Sequence, residues 1–158
     1  SREGPRQVTM SKQVTRSKNI LIPIDPQEPE LVDKALKLAV SQAREQQAVL
    51  HVLTVLPGFN NPMVASYFPE DAMEKALTAA SEKLSDYLDS RVPAEVETHL
   101  HAKSGNPYKQ ILKLAKELAS EMIVIPSRKR GRVDQALLGS VTTKVVERAS
   151  CSVLVVRA

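Results

Sequence analysis

Arg128, Lys129, Arg130 and Arg132 crowd positive charge into one short stretch, and Gly139-Ser140 follow it where a helix is expected to begin. The first amides of a helix have no partner within it, and its dipole is positive there. A basic loop beside such an end favours an anion, phosphate above all. Gly139 permits close backbone approach, and Ser140 offers a hydroxyl and an amide. The same residues also read as a helix start with a capping serine beside a solvated loop. Asp25 ends an apolar run, Ile20-Leu-Ile-Pro-Ile24. In open parallel sheets the ligand crevice lies beyond the carboxyl ends of the strands, where strand order reverses. A carboxylate there can accept hydrogen bonds from a ribose or a base, although Asp25 before Pro26 is equally a turn residue.

Other chemistries find less support. His99 and His101 alternate on what reads as the exposed face of an edge strand, a pair that could take a metal with no third ligand in view. The expectation is solvated surface for both, and a hydrogen-bonded core position for His51. Cys151, the single cysteine, borders an apolar strand and reads as packing; one cysteine makes no intramolecular disulfide, so a reducing compartment, the cytoplasm, is expected. No nucleophile, base and orienting group are spaced for catalysis, and no acid pair for hydrolysis. The expectation is therefore a binding protein, with weak ATP hydrolysis left open. GxxxxGK[ST] is absent, which excludes a P-loop, and no GxGxxG follows the first apolar run.

The elements that must position these residues follow from apolar patterning. Runs 19–25, 48–55, 122–126 and 153–156 are aliphatic without polar alternation, as in strands buried on both faces. Residues 95–101 alternate, which suits a sheet edge. Between them, 29–46, 69–90, 107–118 and 140–150 carry helical stripes, with Pro29 and Pro107 at first helical positions and Asn106 as N-cap. The order β(αβ)4 gives an α/β fold with a parallel sheet and helices on both faces. Residues 56–69, with Met63, Tyr67 and Phe68, form a long connection expected to pack over the helix that follows.

Composition sets the remaining bounds. A chain of 158 residues, 42% apolar and 25% charged, suits one soluble domain. Five aromatics and no Trp make an aliphatic core and give no stacking platform for single-stranded nucleic acid. No apolar run approaches the ~20 residues of a membrane span. The net charge of +4 belongs to residues 1–18, which hold five bases and one acid, leaving 19–158 neutral. That stretch reads as a disordered basic leader, in part added to the natural chain, with Met10 a candidate start. Its contact with nucleic acid would be non-specific.

Taken together, Asn19-Ile-Leu-Ile-Pro-Ile-Asp25, Leu53-Thr-Val-Leu-Pro57, Gly105-Asn-Pro107, Met122-Ile-Val-Ile125, Leu137-Leu-Gly-Ser-Val-Thr142 and Cys151-Ser-Val-Leu-Val-Val-Arg157 resemble the universal stress protein family. The resemblance runs from about Lys18 to Arg157, and would make 19–158 one such domain. It implies an open five-stranded parallel sheet of order 3-2-1-4-5, Rossmann-like and akin to adenine nucleotide alpha hydrolases. It also implies a homodimer joined through the Val153–Val156 strand. In the nucleotide-binding branch it implies ATP or AMP, with or without Mg2+, as a regulatory ligand in a stress response. Pro23, Ile24, Asp25 and Val55 match positions that cradle adenine and ribose. Ile125, Ser127, Lys129, Arg130, Gly139, Ser140 and Val141 fall along the phosphate side. The family's pattern is GxxG, nine residues, then G[ST]. Gly139-Ser140 match its end, whereas Pro126 and Lys129 stand at its two loop glycines, removing one amide donor and adding a side chain. The alternative on the same fold is a nucleotide-free dimeric interaction module with a protein partner that the residues do not name.

Overall fold

The computed structural model describes residues 18–58, 62–127 and 138–157. The leader and the basic residues Arg128, Lys129, Arg130 and Arg132 lie outside them. Five strands, β1 (Asn19–Pro23), β2 (Val49–Leu56), β3 (Thr98–Ser104), β4 (Met122–Ser127) and β5 (Ser152–Arg157), alternate with helices α1 (Pro29–Gln46), α2 (Pro62–Ala65), α3 (Ala72–Asp89), α4 (Pro107–Glu117) and α5 (Ser140–Arg148). The strands form one sheet in the order β3-β2-β1-β4-β5. Every pairing is parallel.

The aliphatic runs explain this order. Ile20, Leu21 and Ile22 of β1 are wholly buried, as are Leu50, Val52 and Leu53 of β2 and Ile123 and Val124 of β4. Alternate residues of each strand point to opposite layers. Ile20, Ile22, Leu50 and Val52 pack with Ala35, Leu36 and Ala39 of α1 and Leu84 of α3. Leu21, Leu53, Ile123 and Ile125 pack on the other side with Ile111 and Leu114 of α4 and Val145 of α5. Burying a large aliphatic side chain contributes about 1.5–3 kcal/mol, so these two layers dominate the stability. Pro23 ends β1, where its missing amide costs least, and the ladder resumes beyond it with Ile24 N–H donating to Leu53 O at 2.8 Å.

Local signals mostly hold. Pro29 and Pro107 open α1 and α4, and the Asn106 side chain accepts from Lys109 N–H at 3.3 Å. Gly105, at φ +128°, makes the turn from β3 into α4 in a conformation that L side chains rarely adopt. Three expectations change. Ser140 is not the cap: Gly139 holds the N-cap position with no side-chain bond, and its carbonyl accepts from Thr143 N–H at 2.9 Å. The connection after β2 contains the single turn α2, and Met63 and Tyr67 stand 70% and 81% exposed instead of packing over α3. Lys18 joins the sheet, its carbonyl accepting from Val49 N–H at 2.8 Å.

Candidate functional site

The chain leaves β1 toward β2 on one side, and β4 lies on the other, so strand order reverses between β1 and β4. A cavity of about 280 Å³ opens at their carboxyl ends. This is where diverging connections of an open parallel sheet leave a crevice. Pro23, Ile24 and Asp25 form one wall, Leu53 and Val55 of β2 continue it, and Ile125 and Pro126 of β4 face them. Helices complete it: Leu31 and Val32 from the first turn of α1, Pro107 and Ile111 from α4, and Val141 and Thr142 from the first turn of α5.

Six of the residues expected from sequence therefore line one cavity: Pro23, Ile24, Asp25, Val55, Ile125 and Val141. Gly139 and Ser140 sit immediately before Val141, as N-cap and first residue of α5. Ser127 does not line the cavity. It is 2% exposed, and its hydroxyl has no hydrogen-bond partner among the described residues. Lys129 and Arg130 lie outside the described residues. The lining residues not singled out from sequence include Leu53, which shares the face of Val55 by simple alternation, and Pro107 and Ile111, which only the three-dimensional placement of α4 brings to the crevice.

Asp25 is exposed and builds a turn, its Oδ1 accepting from Gln27 N–H at 2.9 Å and its carbonyl from Glu28 N–H at 3.0 Å. The turn and ligand readings are thus compatible, since Oδ2 remains for a ligand. Gly139 has φ −64° and ψ 163°, open to any residue, and a Cβ added there would meet nothing within 4 Å. Nothing in the described fold requires glycine at this position.

The histidines bear out one expectation and change another. His99 is exposed, as expected, whereas His101 is only partly exposed and bonds to His51. His51 faces His99 in the β2–β3 register, their rings stacked at 5.3 Å, and His101 lies two pairs further along, on the same face. His51 Nδ1 is 2.9 Å from His101 Nε2, and His51 Nε2 is 2.9 Å from Asn19 Oδ1. His51, 6% exposed, is the satisfied core histidine expected. Burial first, then the neighbouring His101 and His99, lower its pKa to about 4. Burial likewise lowers that of His101, with Lys103 and His99 adding to the effect. Cys151 packs beside the layer under α4 and α5, and burial pushes its thiol up, away from reactivity.

The sequence profile of the universal stress protein family matches residues 16–157. The chain belongs to the universal stress protein family. It is 32% identical over 146 residues to Universal stress protein G of Salmonella typhimurium, covering 89% of this chain and 99% of that protein. Among solved structures, universal stress protein UspA from Lactobacillus plantarum superposes with a TM-score of 0.66 at 25% identity, over 90% of this chain and 99% of the other. The universal stress protein from Archaeoglobus fulgidus in complex with dAMP gives a TM-score of 0.54 at 22% identity, over 87% and 96%. At that identity the likeness is one of fold.

Proposed function

We propose that this universal stress protein binds an adenine nucleotide, ATP or AMP, in the crevice between β1 and β4, as a regulatory ligand in a stress response. The observation that carries the reading is the pairing, around one cavity, of Asp25 with the first turn of α5 at Val141 and Thr142. The apolar walls, Val32, Leu53, Val55 and Ile111, suit a purine face. The carboxylate of Asp25 suits ribose hydroxyls, and the free amides of the first turn of α5 suit phosphate. A related protein of this fold is described in complex with dAMP, which supports the class of ligand. Mg2+ would accompany ATP through its phosphates. The assignment is to binding and not to turnover. No helix among the described residues is long and apolar enough to cross a membrane, and the proposed setting is the cytoplasm.

Pro126 favours a second reading. It lines the cavity at a position where the family's nucleotide pattern has glycine, and it offers no amide to a phosphate. On that reading the chain is a nucleotide-free interaction module, paired with a second copy through β5 and serving a protein partner. Calorimetry with millimolar ATP and AMP, with and without Mg2+, separates the two. Binding that weakens at least tenfold in Ser140→Asp, about 1.4 kcal/mol, supports the nucleotide. Aspartate suits the first turn of a helix, so stability should hold in that variant. Neither heat nor a shift in Tm with any of these ligands overturns the nucleotide reading and leaves the module.

A further inference from the structure

The chain has three histidines, and all three meet in one row on the sheet face that carries α4. Among the described residues no group of three His, Cys, Asp or Glu is arranged to hold a metal. The chemistry left to the row is proton exchange. Its hydrogen bonds have a fixed direction. Asn19 Nδ2 donates to Leu118 O, at the C-terminal end of α4, at 2.8 Å. Its Oδ1 must then accept, so His51 Nε2 carries a hydrogen. Neutral His51 therefore presents a lone pair at Nδ1, and His101 Nε2–H donates to it. The chain of donors runs from β3 through β2 and β1 to α4.

We propose that the His51–His101 hydrogen bond is an acid-released latch that fastens the edge strand β3 to the rest of the sheet. A first proton can be held between the rings, His51 Nδ1 donating to His101 Nε2 once His101 carries its own hydrogen on Nδ1; a second sets one charged N–H against another, so the bond is lost and the rings part. β3 feels such a loss because, as an edge strand, it is bonded among the described strands to β2 alone. The charges around the row come from few elements. Glu97, just before β3, accepts at Oε2 from His99 Nε2 at 2.8 Å, and β3 supplies Lys103, which opposes a charge on His101. β1 contributes neutral Asn19, flanked by the Lys18–Glu121 pair at 3.8 Å. α4 contributes its terminal carbonyl, while its Lys113, Lys116 and Glu117 are exposed. Glu97 alone favours protonating His51; burial and the two neighbouring rings oppose it. The unlatched strand leads through Gly105 and Asn106 to Pro107 in the cavity wall, and Leu53 lies one step along the face from His51.

Hydrogen exchange of the full chain, read by mass spectrometry at pH 7.5 and 5.5 and corrected for intrinsic rates, tests the latch. The opened strand binds protons at the ordinary histidine value, so opening of residues 98–104 should rise about tenfold between these pH values while 122–127 stay unchanged. His51→Gln keeps an acceptor for His101 and a donor for Asn19 without a titrating group at 51, and should reduce the pH response to the part that His101 carries. His101→Ala should leave β3 unlatched at both pH values. Equal protection of β3 at pH 7.5 and 5.5, or a loss shared equally by β4, overturns the proposal whether or not the variants fold. An imidazole of His51 titrating near 6.5 in the native protein would do so independently.

Discussion

At one edge of the sheet, β3 presents His99, His101 and Lys103, with Leu100 its one large apolar residue; at the other, β5 presents Val153, Leu154 and Val155, all partly exposed. Among the described strands, each is hydrogen-bonded on one side only. An open edge invites another strand, and natural sheets discourage this with charge or polar cover. β3 carries that cover, together with a side-chain network that ties it inward. β5 has aliphatic residues up to Arg157. The difference is that one edge carries its polar cover within the chain and the other is left aliphatic, which supports the pairing of a second copy through β5 proposed above.

The largest expected effect breaks this contrast directly. Val155→Lys should halve the sedimenting mass at micromolar concentration with the circular dichroism retained, since a charge at the centre of β5 opposes strand pairing. Leu100→Lys, the corresponding insult to β3, where Leu100 is 37% exposed, should leave the mass unchanged. A monomeric parent protein would remove the contrast.

Gly105→Ala tests whether β3 is also held by its exit. The substitution forces a side chain into φ +128° and within 3.2 Å of Gln110 Nε2. The amide contact Gly105 N–H to Leu56 O, 2.8 Å, lies at the same turn. A cost of about 2–3 kcal/mol in urea unfolding is expected. A change under about 0.5 kcal/mol would show that the turn relaxes freely.

Acid sharpens the comparison next. The folded-state pKa values of His51 and His101 lie below the unfolded value, so the unfolded chain binds more protons between them. Stability is then fully present above about pH 6.5 and is lost as pH falls from there toward about 4. From pH 7.5 to 5 the loss should be about 1–2 kcal/mol, allowing for screening at the edge of the sheet. His51→Gln should flatten the curve in this window. A curve as steep as the parent's in that variant would assign the acid sensitivity elsewhere.

Much of the fold was legible because burial on both faces leaves an unmistakable aliphatic run, as in Ile20–Ile22 and Ile123–Ile125, and because Pro29, Asn106 and Pro107 mark helix starts by local chemistry. The strand order came from the resemblance to a family, since no local pattern in β2 or β4 says which strand lies beside β1. The cavity was legible where one segment supplies it, at Pro23–Asp25, and not where a helix arrives from a distance, as with Ile111. The histidine row was missed for the same reason. His51 and His99 are separated by a helix and a loop, and only the register of β2 on β3 brings them together. Ser140 misled because Gly-Ser before an apolar stripe fits a serine cap as well as a glycine cap, and backbone dihedrals alone decide between them.

The smallest expected effect concerns Asn106, one residue beyond the turn that ends β3. Its side chain caps α4 through a single bond of 3.3 Å to Lys109 N–H, in an exposed position. A cap of that length in contact with water lies at the weak end of the range, so Asn106→Ala should cost about 0.5 kcal/mol. If β3 is moored mainly by its histidines and by Gly105, this variant should leave exchange of 98–104 and its pH response as in the parent. A loss of β3 protection as large as that of His101→Ala would place the mooring in the helix start instead. The finished edge would then be a property of α4 and not of the strand, and the contrast with β5 would rest on polar cover alone.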